Sequence, residues 1–400
     1  MKRLIIIAAL GAVLGAVLGA VTLQAVRTPQ TMYDDPVWYM RSQRPIWAVD
    51  EAKDYRLAVD VPGGCRLVYG LTLDACGLDG LPYRIPDYEA PWEVNKENGC
   101  YAPETAVLAL RGCNVVMFVL GLGCLYLVAY MILRRPLLAI LPVVPLVLSP
   151  TFPVDIVPRV GPDAVLMAAL CLFLLAWVAL DRRGQGRTWT AAIVMGVLGG
   201  VCAWTKINGA LVLVAYAAYM AIGKPSLRKY SRGAVALAVG GVTFYLLNPA
   251  FIGQNPAAVF VDILVRRAQV IQVMRLRFGP LGWTAVLSEA VRCWAFLPVL
   301  AWVAWKVRNV PLMVPVLLWG GVLAVGNLAV MNLPLPRYLG PVELGLHFGG
   351  ALAVLALAIV LRNKIVFAGP NGTERVGVAL LCSKELKEAK DDNDSQFFAG

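Results

Sequence analysis

The chain has 400 residues, of which 59% are hydrophobic and 15% are charged, and its apolar stretches repeatedly approach or exceed the length of about 20 residues that spans a bilayer. This composition excludes an ordinary soluble domain and indicates a polytopic membrane protein. The net charge of +11 does not favour nucleic-acid binding, because the basic residues fall mostly in short connections between apolar segments, where they set the orientation in the membrane.

The first apolar segment covers residues 1–26 and begins with Lys2 and Arg3. Its apolar run is longer than the 7–15 residues of a cleaved signal sequence, so we interpret it as an uncleaved first transmembrane helix. Gly11, Gly15 and Gly19 recur every four residues and therefore share one helix face. Small residues on one face allow close approach of helix backbones in a membrane. The pattern predicts that a neighbouring helix packs against this face.

Nine further apolar segments predict a bundle of ten spans in all. They cover residues 105–133, 136–150, 163–180, 188–204, 209–222, 233–249, 285–305, 311–331 and 340–361. Alternate connections are basic, which predicts that they and both termini are cytoplasmic. The segment at 136–150 is short and rich in proline, so it is interpreted as a bent span or a re-entrant segment.

On the extracytoplasmic side, the sequence predicts a large first loop at residues 27–104, with thirteen Asp and Glu against eight Lys and Arg. Its Pro, Tyr and Trp content favours an ordered subdomain. Residues 105–361 form the predicted bundle, which is interrupted by a second outer loop at 250–284, and residues 362–400 form a predicted cytoplasmic tail.

The cysteines and the single histidine limit the chemistry. Cys65, Cys76 and Cys100 lie in the first loop, where one disulfide or no disulfide are both open. His347 is the only histidine, which excludes zinc sites built on several imidazoles and Ser-His-Asp triads. We interpret His347 as a packing or hydrogen-bonding residue. No cofactor is predicted with certainty, and a divalent cation bound by carboxylates is left open.

An acidic pair, Asp34 and Asp35, follows the first span in the stretch "QTMYDDPVWYMRS". With Pro36 in the first helical position, one of the two carboxylates fits a helix cap. The other is then available as a general base, although the sequence does not decide which of the two has which role. Trp38 and Tyr39 favour a position at the membrane interface.

Basic residues on the predicted outer side form a belt that departs from the positive-inside trend. The second outer loop carries Arg266, Arg267, Arg275 and Arg277 against a single acid, Asp262, and further members of the belt are Arg159, Lys206 and Arg337, the last followed by Tyr338. For any one of these residues, snorkelling to the interface is the simpler explanation. As a cluster they indicate an anion, and a phosphate carried by a lipid suits this position. Asp155, Asp163 and Glu343 are further candidates for the outer cleft.

Six motifs carry a resemblance to a known group. They are "YDDP", "CYAPETAVLALRG", "SPTFPVDIVPRVGPDAVLMAALCLFLLAW", "WTKINGALVLV", "NPAFIGQNPAAVFVDIL" and "LPRYLGPV". In order and placement the chain resembles the GT-C integral-membrane glycosyltransferases, in particular the branch of protein O-mannosyltransferases and lipid A aminoarabinose transferases.

The resemblance implies an all-α, GT-C-like bundle in a membrane, expected to be the bacterial inner membrane. It implies Asp34 or Asp35 as the catalytic base, and it implies donor-phosphate binding by Arg159, Lys206, Arg266, Arg267 and Arg337, with Tyr338 beside the last. The acidic pair is Asp-Asp where relatives often have Asp-Glu, and the chain is shorter than relatives with a C-terminal soluble domain. The second departure leaves the class of acceptor open.

The leading hypothesis is an inverting glycosyltransferase that moves a sugar from a polyprenyl-phosphate donor to a hydroxyl on a protein, glycan or lipid acceptor. Its partners are then the donor, the acceptor and membrane lipids, without nucleic acid. One alternative is a transporter or flippase for an anionic lipid, although few ionisable residues lie in the middle of the spans. The other alternative is a non-catalytic scaffold subunit with the same fold.

Overall fold

A computed structural model of the chain describes residues 15–16, 19–29, 63–78, 92–99, 102–149, 151–222, 226–248, 251, 255–259, 261–262, 265, 297–308, 310, 312–330 and 336–366. All regular elements within these ranges are helical, which confirms the all-α prediction. The described residues fall into two compact units, 1–353 and 354–400, and the second contains the end of the last helix.

Most of the helices lie within the apolar segments of the sequence, and α2 and α3 lie in the predicted first loop. They are α1 (19–27), α2 (Gly63–Ala75), α3 (Trp92–Glu97), α4 (Glu104–Leu133), α5 (Val144–Leu148), α6 (Pro162–Arg182), α7 (Trp189–Thr205), α8 (Leu211–Ala221), α9 (Leu227–Leu246), α10 (Leu297–Val307), α11 (Met313–Val330), α12 (Pro336–Glu343) and α13 (Gly349–Val366). Two π-helices, Thr151–Ile156 and Leu344–Phe348, and two short 3-10 helices, Leu138–Ile140 and Ile207–Ala210, lie between them.

Three helical stretches of the described part are long and apolar enough to cross a membrane: Glu104–Leu133, Pro162–Arg182 and Gly340–Leu361. Three shorter apolar helices, Trp189–Thr205, Ile207–Ala221 and Met313–Asn327, accompany them. The predicted segment at 136–150 contains a 3-10 turn and the five-residue α5 rather than one continuous helix. Pro136, Pro142 and Pro145 account for the interruption, because proline lacks the N–H that an uninterrupted helix requires.

Local signals explain where the helices at the centre of the bundle begin. Pro162 starts α6 and Asp163 follows it in the first turn, where an acid interacts favourably with the helix dipole. The hydroxyl oxygen of Thr188 accepts a hydrogen bond from the N–H of Ala191 and caps the start of α7. These residues of the sequence therefore determine where α6 and α7 begin.

Pairs of helices pack side by side in the bundle: α4 with α6, α6 with α7, α7 with α9, α8 with α9, and α8 with α11. The contact between α7 and α9 is closest at glycines. A Cβ atom placed on Gly200 would lie 2.7 Å from the carbonyl oxygen of Gly240, and one on Gly196 would lie 2.8 Å from that of Ala236. Only residues without a side chain permit this backbone approach, the usual form of close helix packing in membranes.

The prediction that a neighbouring helix packs against the glycine face of the first helix stays a prediction, because Gly11 and much of the chain that could reach this face lie outside the described residues. Within the part of the chain that the structure describes, ideal Cβ atoms on Gly15 and Gly19 meet no heavy atom within 4 Å. The buried residues of α1 in the described part are Val21 and Ala25, on a different face.

Helix α2 brings part of the predicted first loop onto the bundle. Its buried residues Cys65, Tyr69 and Leu73 pack with residues at the start of α4 and α6. At the beginning of α2, a Cβ atom on Gly64 would lie 2.9 Å from the Thr205 hydroxyl oxygen, at the end of α7. The absence of a side chain at this position lets α2 lie directly against α7.

Candidate functional site

The site begins with an ion pair between Lys206 and Asp163. Asp163 lies in the first turn of α6, and Lys206 directly follows α7 with extended backbone angles. Because α6 and α7 run in opposite directions as neighbours, these two positions meet at one end of the bundle. The Lys206 Nζ atom lies 2.5 Å from Asp163 Oδ1, and the side chains are 12% and 10% exposed. The sequence predicted both residues as site candidates but not their pairing.

A second pair, Arg159 and Asp155, precedes α6. Arg159 Nη2 lies 3.5 Å from Asp155 Oδ1, with side-chain exposures of 37% and 20%. Exposed ion pairs add little to stability, so this contact mainly restricts the orientation of the guanidinium group. Arg159 and Lys206, the two predicted cations whose side chains the structure describes, therefore each lie beside a predicted carboxylate.

A buried hydrogen-bond network holds the backbone that carries Arg159. The Tyr69 hydroxyl donates to Asn114 Oδ1 at 2.5 Å and lies 2.6 Å from the Gly161 carbonyl oxygen. Asn114 Nδ2 donates to the carbonyl oxygens of Arg159, at 2.7 Å, and of Val157, at 3.2 Å. Burial raises the pKa of the Tyr69 phenol well above its usual value, so the group stays protonated.

Sequence reasoning missed Tyr69 and Asn114. The available signal was an asparagine within the apolar run of α4, since a buried amide in a membrane helix requires hydrogen-bond partners. Tyr69 is 45 residues from Asn114 and 92 from Gly161, so no local pattern relates the three.

Glu343 connects α12 to the segment between α5 and α6. Its Oε2 accepts a hydrogen bond from the Ser149 hydroxyl at 2.6 Å, and its Oε1 accepts one from the Thr151 hydroxyl at 2.7 Å. Helix α12 packs against the π-helix Thr151–Ile156 and against α6, and a Cβ atom on Gly340 would lie 2.6 Å from Ile156 Cδ1. The backbone of α12, which includes positions 337 and 338, therefore lies at the end of the bundle that carries Asp155, Asp163 and Lys206.

Arg111 fixes the end of α1. The residue is 2% exposed, and its Nη1 donates to the carbonyl oxygen of Ala25 at 2.9 Å and to that of Thr28. Its Nη2 donates to the carbonyl oxygen of Pro29 at 3.2 Å. The last carbonyl groups of a helix lack hydrogen-bond donors within the helix, and the Arg111 guanidinium group provides donors for them.

Four predicted site residues lie outside the described residues. These are Asp34, Asp35, Arg266 and Arg267, and their predicted roles remain predictions. Arg337 and Tyr338 lie within the described part of α12 as backbone positions. The structure thus brings together Asp155, Arg159, Asp163, Lys206, Glu343 and the α12 backbone.

Cys65 and Cys76 are both free thiols, the first buried and the second exposed. Any disulfide among Cys65, Cys76 and Cys100 would include at least one of these two thiols, so the described residues support the alternative without a disulfide. Burial raises the pKa of the Cys65 thiol well above its usual value. No group of three or more His, Cys, Asp or Glu residues suited to a metal ion occurs within the described ranges.

Residues 105–252 match the sequence model of the family described as dolichyl-phosphate-mannose-protein mannosyltransferase. This match covers α4 to α9, including Arg159 and Lys206, and it confirms the predicted resemblance to the GT-C integral-membrane glycosyltransferases. Among solved structures, the chain is similar to the crystal structure of ArnT from Cupriavidus metallidurans in the apo state, with 16% identity and a TM-score of 0.47. The similarity covers 90% of this chain and 62% of that protein, so the chain spans less than two thirds of that protein's length. No curated protein matches the chain significantly.

Proposed function

We propose that this GT-C-type chain is a membrane glycosyltransferase that moves a sugar from a polyprenyl-phosphate donor to an acceptor hydroxyl. Transfer takes place on the extracytoplasmic side, inverts the anomeric configuration and uses Asp34 or Asp35 as the base. The acceptor is a protein, a glycan or a lipid. The observation that carries the proposal is the meeting of Lys206, Arg159 and the α12 backbone at one end of the bundle.

The departing phosphate needs cations more than it needs an acid. A phosphate is a weak base, so its departure is promoted by groups that stabilise the negative charge as it develops. Lys206 and Arg159 are each held beside a carboxylate, at 2.5 Å and 3.5 Å respectively. A cation that is already ordered loses less side-chain entropy when an anion binds. Arg266, Arg267, Arg337 and Tyr338 complete the proposed donor-phosphate site.

The acceptor hydroxyl needs a base within hydrogen-bond reach, and the acidic pair is the proposed source. Arg111 ties Pro29 to α4 through the carbonyl of that proline. Asp34 follows Pro29 by five residues, which limits the distance between their Cα atoms to about 18 Å. This covalent limit is compatible with a base on the side of the bundle where Arg111 holds Pro29.

The test uses purified protein in proteoliposomes with a polyprenyl-phosphate-linked mannose, the sugar suggested by the matching family. We expect Asp34→Asn or Asp35→Asn to lower transfer by a factor of about 10²–10⁴, the usual effect of a general base. Asp74→Asn serves as the control, because Asp74 is exposed on α2 and undergoes the same chemical change. Full transfer by both single variants and by the double variant would show that the base assignment is wrong.

A second measurement separates the proposed enzyme from the two alternatives. Polyprenyl phosphate should raise the unfolding temperature of the wild-type protein, since a ligand that binds only the folded state stabilises it. A scaffold subunit would show no such shift. A transporter would move labelled lipid across the vesicle membrane without forming a glycosylated product.

A further inference from the structure

Six basic side chains lie near the N-terminal end of α7, whereas Lys206 follows its C-terminal end. They come from the end of α6 with the loop after it and from the first turns of α9: Arg182, Arg183, Arg187, Arg228, Lys229 and Arg232. We call this set the basic patch. Asp181 is the only acidic residue within residues 181–190 and 226–233, both of which the structure describes. The basic patch therefore has a local excess of five positive charges.

The two segments of the basic patch are bonded to each other. Arg232 Nη1 donates to the carbonyl oxygen of Arg187 at 2.5 Å, and the Arg232 guanidinium carbon lies 5.5 Å from the centre of the Trp189 ring. The Arg187 guanidinium carbon lies 4.5 Å from the centre of the Tyr219 ring. Cation–π contacts of this kind hold the guanidinium groups in place without neutralising their charge.

The single carboxylate of the region is already engaged. Asp181 Oδ1 accepts a hydrogen bond from the Tyr219 hydroxyl. Gly186 packs directly over the same carboxylate, since a Cβ atom on it would lie 2.7 Å from Asp181 Oδ1. Arg182, Arg183 and Arg228 are exposed. The guanidinium N–H groups of these three side chains are therefore available to a ligand outside the protein, since the Asp181 carboxylate is engaged by Tyr219.

The position of the basic patch along the bundle matches the depth of lipid phosphates. Helix α6 has 21 residues and ends at Arg182, so it is about 31 Å long, close to the thickness of the hydrocarbon core. Exposed aromatic and apolar side chains lie beside the cations: Trp189 is 39% exposed, Tyr230 49% and Leu227 84%. Aromatic side chains prefer the level of the headgroups, and exposed Leu227 suits contact with acyl chains.

We propose that the basic patch is a binding site for the headgroup phosphate of anionic glycerophospholipids. The site is separate from the proposed donor site, because the two lie at opposite ends of α7, about 25 Å apart along the helix axis. Charge complementarity favours an anionic headgroup, and the adjoining apolar side chains favour a lipid over a free phosphate. Each cation near the membrane surface strengthens the attraction to anionic lipid.

The test is a titration of the purified full chain in detergent with phosphatidylglycerol, followed by the unfolding temperature. Phosphatidylcholine and soluble glycerol phosphate are titrated in parallel. We expect only phosphatidylglycerol to raise the unfolding temperature of the wild type. In Arg183→Gln/Arg228→Gln, the apparent dissociation constant should rise by at least about fivefold.

The matched control is Arg134→Gln/Arg135→Gln, which removes the same charge from two exposed residues that follow α4. This variant should bind phosphatidylglycerol as the wild type does. Equal weakening in the two double variants would attribute binding to diffuse charge and overturn the site. Equal stabilisation by phosphatidylcholine, or by glycerol phosphate, would overturn the anionic lipid as its occupant, and so would the absence of any shift.

Discussion

Lys206 and Asp163 form an ion pair across 43 residues of sequence, with 2.5 Å between Nζ and Oδ1. Asp163 lies in the first turn of α6 and Lys206 directly follows α7, so the ion pair links the two helices at one end. The loop at 183–188 connects them at the other end. Both side chains are largely buried. The pair therefore has a structural role whether or not an anion is bound.

Removal of one partner from this pair should be costly. Asp163→Asn leaves the Lys206 ammonium buried without its carboxylate, and we expect the free energy of unfolding to fall by about 3 kcal/mol. Asp163→Asn/Lys206→Met removes both charges and should lose less than the sum of the two single variants. Thermal unfolding of the four proteins in detergent measures the coupling. Strict additivity would contradict an energetic link between the residues.

Glu343 should couple to Thr151 in the same way. Glu343→Gln leaves one acceptor oxygen for the two hydroxyl donors of Ser149 and Thr151, and we expect a loss of about 1–2 kcal/mol. In a Thr151→Val background the same change should cost less, because one donor is already absent. The exposed Glu97, at the end of α3, provides the control, since Glu97→Gln should leave the unfolding temperature nearly unchanged. Similar losses in both backgrounds would speak against the hydrogen bond as the cause.

The contact between α7 and α9 should tolerate no side chain at its glycines. Gly200→Ala places a methyl group 2.6 Å from Thr243 Cβ and 2.7 Å from the Gly240 carbonyl oxygen, which forces the helices apart. We expect a loss of about 1–3 kcal/mol. Gly241→Ala in α9 meets open space and should be neutral or slightly stabilising. Comparison of their unfolding temperatures tests the packing, and an equal effect of both substitutions would refute it.

The docking of α2 can be followed through its cysteines. Burial raises the pKa of Cys65, so the reactive thiolate forms only above the usual thiol range and is absent at neutral pH. A maleimide at pH 7 should label the exposed Cys76 and spare Cys65, in single-cysteine variants of the chain. Raising the pH to 9 should increase Cys65 labelling little, because the raised pKa and the burial both persist.

Gly64→Ala supplies the complementary variant for that experiment. Its methyl group would lie 2.9 Å from the Thr205 hydroxyl oxygen and 3.1 Å from Thr205 Cα, so α2 should shift away from α7. Cys65 should then become accessible and react at pH 7. Gly77→Ala is unsuitable as a control, because the positive φ of 65° strains any side chain there. Gly112→Ala in α4 is the control, because its methyl group would meet open space. In this variant Cys65 should stay protected from the maleimide.

The helices of the bundle could be predicted because a long apolar segment in a membrane must satisfy its backbone hydrogen bonds internally, which favours a helix. The segments at 105–133 and 163–180 correspond to α4 and α6 within two residues at either end. The break within 136–150 was indicated by its prolines. The packing at the glycine face of the first helix stays a prediction, because a row of small residues indicates that close packing is possible and does not say which helix packs there.

The side-chain partners within the site could not be predicted. Lys206 and Arg159 stood out as cations in an apolar context, and the residues that pair with them were named only as cleft candidates. Pairing depends on which helix ends meet, and that depends on packing over the whole bundle. The Tyr69 network depends further on how a loop helix docks, for which the sequence carries no periodic signal.

The three carbonyl contacts of Arg111 also bear on the order in which the chain enters the membrane. An arginine buried in an apolar helix is costly until acceptors surround its guanidinium group. The acceptors belong to Ala25, Thr28 and Pro29, more than eighty residues earlier in the chain. They have therefore left the ribosome before Arg111 is synthesised, and α4 inserts beside a helix end that is ready to receive its charge.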